Sequence, residues 1–187
     1  MPTSVFFYVI FLSLVIVERF LELRISARNA KLAFAEGAIE FGQAHFRVMS
    51  LLHTLFFFGI AAELYWRQPV FSPVLGYAAL LISILSQGLR YWAISTLGKR
   101  WNVRIIVLPN GAPVTDGPYR WIRHPNYVAV VLELFFLPLI HGCWVTALVF
   151  SALNAALLWV RINAEEEALG SLYQEAFQNR PRFFPTE

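Results

Sequence analysis

The stretch GPYRWIRHPNY, residues 117–127, holds three basic side chains, three aromatics and two prolines between long apolar runs. Whether it is a loop on a soluble helical protein or a polar collar between membrane spans decides the fold. The rest of the chain gives the answer: of 187 residues, 58% are hydrophobic and only 14% charged, too apolar a balance for a soluble domain of this size. Runs near the ~20 residues that cross a hydrocarbon core fall at roughly 4–23, 46–66 and 73–97 before the stretch and at roughly 127–140 and 144–162 after it. The last two are short, and PLIHGCW (138–144) between them reads as the tight turn of a helical hairpin. These patterns predict an all-α fold, an integral membrane bundle of about five transmembrane helices. The whole chain, 1–187, reads as a single domain, with a polar segment over 98–127 and a C-terminal helix over 163–178.

Short loops rich in lysine and arginine stay in the cytoplasm. Arg19, Arg24, Arg28, Lys31 and Arg47 flank the first loop; Arg90, Lys99, Arg100, Arg104, Arg120 and Arg123 surround the third; Arg161, Arg180 and Arg182 follow the last span. Arg67 alone belongs to the other side. Five spans then put the N-terminus outside and the C-terminus in the cytoplasm, with the chemically rich segments on the cytoplasmic face. The net charge of +3 is thus topological, and the expected partner is membrane lipid rather than nucleic acid. The first span lacks a basic leader and a small-residue cleavage site, so it is expected to remain in the mature protein. Cys143, the single cysteine, rules out an internal disulfide or a multi-cysteine metal site, and its place in the outer turn should make it reachable from outside. His45 and His53 lie near one face of the second span without a further ligand at a recognisable spacing, so packing is favoured over metal.

The first loop, ARNAKLAFAEGAIEFGQAHF, reads either as an interfacial helix and turn with a solvated charged face or as a part that closes a site. In the polar segment, 103–108 is β-prone and is followed by turn chemistry at Pro109-Asn110-Gly111 and Asp116-Gly117-Pro118. A small hairpin or irregular lid is expected, with backbone groups free to meet a planar ring such as adenine. Pro125 suits the first turn of a helix, which makes His124 the cap. The N–H groups of Asn126 and Tyr127, with Arg120 and Arg123 nearby, would then form an anion site. Further on, RINAEEEAL places Arg161 and Glu165 four residues apart on one helix face, either as a surface ion pair or as a site for a ligand carrying both carboxylate and ammonium. Gln87 and Arg90 share a face near the inner end of the third span, where a charge usually points to a cavity or partner, although Arg90 could also snorkel to the interface. Glu133 either pairs with a polar neighbour or lines the pocket.

GPYRWIRHPNY followed about 35 residues later by RINAEEEAL, on a helix after a short hairpin, resembles the isoprenylcysteine carboxyl methyltransferase family of integral membrane enzymes. The resemblance covers the C-terminal half, from about Leu97 onward. The N-terminal half, with ERFLELRISARN, GAIEFGQAHF and LLH, resembles the smaller bacterial branch that includes alkylpyrone methyltransferases. The resemblance implies a cytoplasmic pocket for S-adenosylmethionine, built on 98–127, and a lateral tunnel for a lipid tail. It carries Pro118, Tyr119, His124, Pro125 and Tyr127 onto the cofactor motif, with Arg123 beside them, and Arg161, Glu165 and Glu166 onto the C-terminal motif. A third acid, Glu167, departs from the pattern and leaves open which carboxylate faces inward. No G-x-G-x-x-G follows a strand, so a Rossmann-type cofactor site is excluded.

The implied reaction is methylation of an acidic oxygen on a lipid-tailed small molecule or a prenylated cysteine. A carboxylate is ionised at neutral pH, with an ordinary pKa of roughly 3.5, so orientation and desolvation matter more than a general base. On this reading Arg161 holds the acceptor, Glu165 meets the cofactor ammonium, and both are catalytic candidates, while Gln87 and Arg90 line the acceptor's side. Two other classes compete: a nicotinamide-dependent membrane reductase related to sterol reductases, and a lipid-binding protein without activity.

Overall fold

A computed structural model describes residues 2–109 and 111–184. Five helices carry the fold: α1 (Thr3–Ala35), α2 (Gln43–Arg67), α3 (Pro73–Leu97), α4 (Pro125–Leu139) and α5 (Trp144–Ala176). Four of them are long and apolar enough to cross a membrane, and α4, at 15 residues, is a shorter apolar helix. Their outward faces expose large side chains such as Phe6, Leu14, Leu55, Phe58, Leu85 and Leu148. Lipid is as apolar as these groups, so their exposure costs nothing in a bilayer; in water the same surface would drive aggregation.

The helices run further than the apolar runs alone indicate. At 1.5 Å per residue α1 is about 50 Å long, against a hydrocarbon core of about 30 Å, so its last turns stand clear of the core. The first part of the first loop, to Ala35, is therefore a continuation of α1 and not a separate interfacial helix, and the rest is a turn, a short strand and the start of α2. The C-terminal helix is likewise continuous with the last span and is bent at Gly170, whose φ of 71° and ψ of −165° suit a residue without Cβ. That bend turns Tyr173 and the following Phe177 back over the cavity described below.

Close packing without a hydrophobic driving force needs small side chains or hydrogen bonds at the interface. The buried face of α3 is Gly76, Ala79, Ser83, Ser86, Arg90 and Ala93, a stripe of mostly small residues at alternating three- and four-residue spacing, and it lets α4 lie close along it. In turn α5 packs on α4 and α2, and Tyr8, Leu12, Phe56, Ile60, Leu134 and Leu137 fill the interior. The short α4 is thus shielded by neighbours. At the end away from most of the arginines, Glu63 of α2 accepts hydrogen bonds from Val145 N–H (3.2 Å) and Thr146 N–H (2.7 Å), capping the start of α5, and pairs with Arg67.

The β-prone run does form a strand, but its partner is distant. Strand β2 (Ile105–Val107) pairs antiparallel with β1 (Ile39–Phe41) of the first loop, with Phe41 opposite Ile105. Instead of a local hairpin, the fold has a two-stranded ribbon that ties the first loop to the polar segment, and Arg104 bonds Glu40 across it at 3.0 Å. The turn expected at Pro109-Asn110-Gly111 includes Asn110, which lies outside the described residues; Gly111 N–H bonds the Leu108 carbonyl at 3.0 Å. Helix α1 is pinned at both ends. Asn29 donates to the Gly98 and Trp101 carbonyls, and Ser26 donates to Asn102 at 2.8 Å; at the far end the Tyr8 hydroxyl donates to the Leu137 carbonyl at 2.9 Å.

Cys143 corrects one expectation. It does lie in the turn between α4 and α5, but it is 0% exposed, and burial pushes its thiol up to about 12. It is closed to reagents from either side.

Candidate active site

A cavity of about 1250 Å³ runs through the end of the bundle that carries most of the arginines. One part lies among lipid-facing helix walls at Ile16, Phe20, Phe57, Phe58 and Ala61. The other is closed by the polar segment, the start of α4 and the bent end of α5. The cavity owes this roof to Gly117: any Cβ there would collide with Thr96 of α3, and its φ of 55° favours glycine. The short 3-10 turn over Gly117–Arg120 then buries Pro118 and Tyr119.

Pro125 does open α4 with His124 as the residue before it. The N–H groups that follow are not all free, however: Tyr127 N–H bonds the His124 carbonyl at 3.1 Å. The C-terminal tail occupies the preceding pair, since Arg123 N–H bonds the Pro181 carbonyl (2.9 Å) and His124 N–H the Arg182 carbonyl (3.1 Å). Arg120 turns outward and stacks on Trp121, 3.8 Å from the ring centroid, so it does not reach the cavity that Arg123 helps to line. Two arginines converging on the helix start are replaced by one.

Arg161 and Glu165 do share a face, and Tyr127 stands between them. Arg161 Nε donates to the Tyr127 hydroxyl at 2.9 Å, and that hydroxyl donates to Glu165. Arg161 Nη2 donates to the Val103 carbonyl at 2.5 Å, which fastens the polar segment to α5. With the guanidinium held at two corners, Nη1 remains buried without a partner among the described residues, and so does Asn126 Oδ1. Both residues line the cavity. A buried unpaired donor costs stability, and such a cost is commonly borne where a ligand completes the bond.

The three consecutive acids take three different places. Glu165 lines the cavity. Glu166 is turned away into a cluster with His124 Nε2 (2.9 Å) and Arg182 Nη2 (2.7 Å), with Arg123 at 3.8 Å. Glu167 is exposed. Tyr119, Tyr173 and Phe177 set aromatic faces on the cavity, and burial, then the charge of Glu165, pushes the Tyr119 phenol well above its ordinary value, so it stays neutral. Pro118 and Pro125 shape the backbone without lining the cavity. Arg90 lines it, but its Nε and Nη2 both go to Glu22 at 2.7 Å. Gln87 stands outside the lining and accepts from Arg19 at 2.7 Å. The sequence does not single out Glu22, the Asn126 side chain, the Val103 carbonyl or the docking of the Arg180–Arg182 tail; it points to Asn126 only for its backbone N–H, and to Arg180 and Arg182 only as cytoplasmic charges. The tail did carry a signal in the alternation of arginine and proline over NRPR, because proline holds its predecessor extended and an extended chain can bond a neighbour.

The fold recurs in a known protein, and the sequence has known relatives. Residues 79–171 match the model of the isoprenylcysteine carboxyl methyltransferase family. The uncharacterized protein YpbQ of Bacillus subtilis (strain 168) is 42% identical over 160 residues, which is 84% of this chain and 94% of the relative. An uncharacterized protein of Haemophilus influenzae is 31% identical over 161 residues, covering 84% and 92%. A solved structure of the eukaryotic intramembrane Ras methyltransferase, isoprenylcysteine carboxyl methyltransferase, is similar in fold with a TM-score of 0.55 at 20% identity, over 76% of this chain and 53% of that one. The chain thus spans about half of that enzyme. It belongs to the isoprenylcysteine carboxyl methyltransferase family, a family of membrane methyltransferases, and is an integral membrane protein.

Proposed function

We propose that the protein transfers a methyl group from S-adenosylmethionine to an acidic oxygen of a lipid-tailed acceptor. The observation that carries this reading is the unpaired Arg161 Nη1, buried on the wall of a cavity that also reaches the lipid-facing helices. The arginine end of the cavity suits the cofactor's chemistry. Tyr119, Tyr173 and Phe177 offer faces to an adenine, Asn126 offers an unused acceptor to a ribose or ammonium donor, and Glu165 offers a carboxylate to the ammonium. When bound, S-adenosylmethionine supplies an electrophilic methyl group and leaves as S-adenosylhomocysteine.

The residues of the chain have the remaining tasks. Arg161 holds the acceptor oxygen through Nη1 while Tyr127 and Val103 fix its plane, so orientation is settled before the acceptor arrives. A single free corner is enough to orient the acceptor and too little to quench its nucleophilicity. The apolar walls exclude water from the oxygen, which raises its reactivity. An ionised carboxylate or an acidic enol needs no base, so prenylated cysteine and alkylpyrone both remain acceptors of the right class. The arginine-rich end faces the cytoplasm on this reading, by the asymmetry of short loops.

Thermal unfolding in detergent tests the cofactor. S-adenosylhomocysteine should stabilise the protein and NADPH should not; the reverse result transfers the site to a reductase, and stabilisation by neither removes the enzymatic reading. For orientation, Val70→Cys places a thiol at a position 90% exposed between α2 and α3, where an impermeant maleimide should label it from outside intact cells while native Cys143 stays silent.

A further inference from the structure

Partway along the cavity wall stands a second polar station, away from Arg161. Glu133 of α4 is 4% exposed and lines the cavity, yet its nearest cations are Arg19 Nη1 at 3.8 Å and Arg90 Nη1 at 3.9 Å, beyond hydrogen-bonding distance. The arginines are committed elsewhere. Arg90 forks onto Glu22, and Arg19 donates to Glu22 at 2.9 Å and to Gln87 at 2.7 Å. Two guanidinium groups therefore face Glu22, Glu133 and Glu18, the last 3.1 Å from Arg19 Nη2, and among the described residues the Glu133 carboxylate has no hydrogen-bond donor. A buried carboxylate in that state is costly unless something completes it.

On α2, His53 lines the same cavity and lies within electrostatic reach of Glu133, Arg19 and Arg90. Its Nδ1 is engaged with the Met49 carbonyl at 2.8 Å. That bond requires a proton on Nδ1, which in the neutral ring leaves Nε2 as an acceptor. The station thus offers two acceptors and no free donor of its own, which selects a hydrogen-bond donor. Along α4, Glu133 lies six residues past Tyr127, about 9 Å at 1.5 Å per residue.

We infer that Glu133, with His53, forms a second polar subsite that binds a hydroxyl or amide N–H on the lipid acceptor, further along the cavity than the oxygen held at Arg161. The acceptor class is then a lipid bearing two polar groups, an acidic oxygen at its head and a neutral donor further along. A purely hydrocarbon tail would bring Glu133 no hydrogen-bond donor. The inference deepens the acceptor side of the proposed function and does not depend on the methyl donor.

Two probes test it by binding alone: hexadecanoic acid and the same acid with a mid-chain hydroxyl, titrated into the detergent-solubilised protein by calorimetry. The hydroxylated acid should bind wild type about tenfold more tightly, as expected for one hydrogen bond to a charged group. Glu133→Leu should remove that preference while hexadecanoic acid still binds, and Glu133→Gln, which keeps an acceptor oxygen, should retain part of it. Equal binding of the two acids by wild type, no binding of either, or a full preference surviving in Glu133→Leu overturns the subsite. If Glu133→Leu fails to fold, the wild-type comparison and Glu133→Gln decide the matter. A protein that prefers the hydroxylated acid yet ignores S-adenosylhomocysteine would keep this subsite and lose the methyl-transfer reading.

Discussion

Arg90 and Arg161 line the same cavity and are both buried, 8% and 5% exposed, yet they are held in opposite ways. Arg90 is committed to the fold: two of its nitrogens fork onto Glu22, and the pair ties α3 to α1. Arg161 has one nitrogen on a phenol, one on a backbone carbonyl and one without a partner among the described residues. Burial alone therefore does not mark a functional charge. On the proposed reading the unmatched corner of Arg161 does, because it stands on the cavity wall where an acceptor can complete it.

The largest effect should come from breaking the matched pair. Arg90→Met leaves Glu22 with only Arg19 and should cost about 3–5 kcal/mol of stability, read by unfolding in detergent, and much of that should return in the Arg90→Met/Glu22→Leu double variant. Arg161→Met should cost clearly less; an equal cost would erase the contrast. Next in size is Arg161→Lys, which keeps the charge and loses the planar fork. Turnover should fall about 100-fold, with S-adenosylhomocysteine affinity changed far less. Comparable losses in both would make Arg161 a structural partner of Glu165 after all.

Smaller effects should follow where Tyr127 bridges the two. Glu165→Gln removes a carboxylate from the cavity and should weaken S-adenosylhomocysteine about tenfold, measured by calorimetry. Tyr127→Phe should produce a similar loss, and the double variant should fall short of the product because the two side chains share one hydrogen bond. Additive losses would mean that Tyr127 acts on the ligand directly. The smallest change is expected from Arg120→Ala, which lies outside the cavity against Trp121: affinity should stay within about twofold, as for an exposed substitution.

Much of this architecture was legible along the chain. Apolar runs near bilayer length set the helices, and they match closely where Pro73 starts α3 and where Gly98 follows its end, because span length and proline and glycine chemistry are local properties. The grouping of Arg161 and Glu165 was equally local, since it follows from the helical repeat. The partners were not. That Tyr127 stands between Arg161 and Glu165, that Glu166 turns to His124 and Arg182 while Glu165 faces the cavity, and that β2 pairs with Ile39–Phe41 all depend on segments 16 to 68 residues apart in the chain. Hydropathy reports how each segment meets lipid, whereas donors and acceptors must be matched across helices. Sequence by itself determined the membrane solvent, the helices and the residue types of the site; only the tertiary structure decided which charges are spent on one another and which are left open, because that matching is settled by contacts between distant segments.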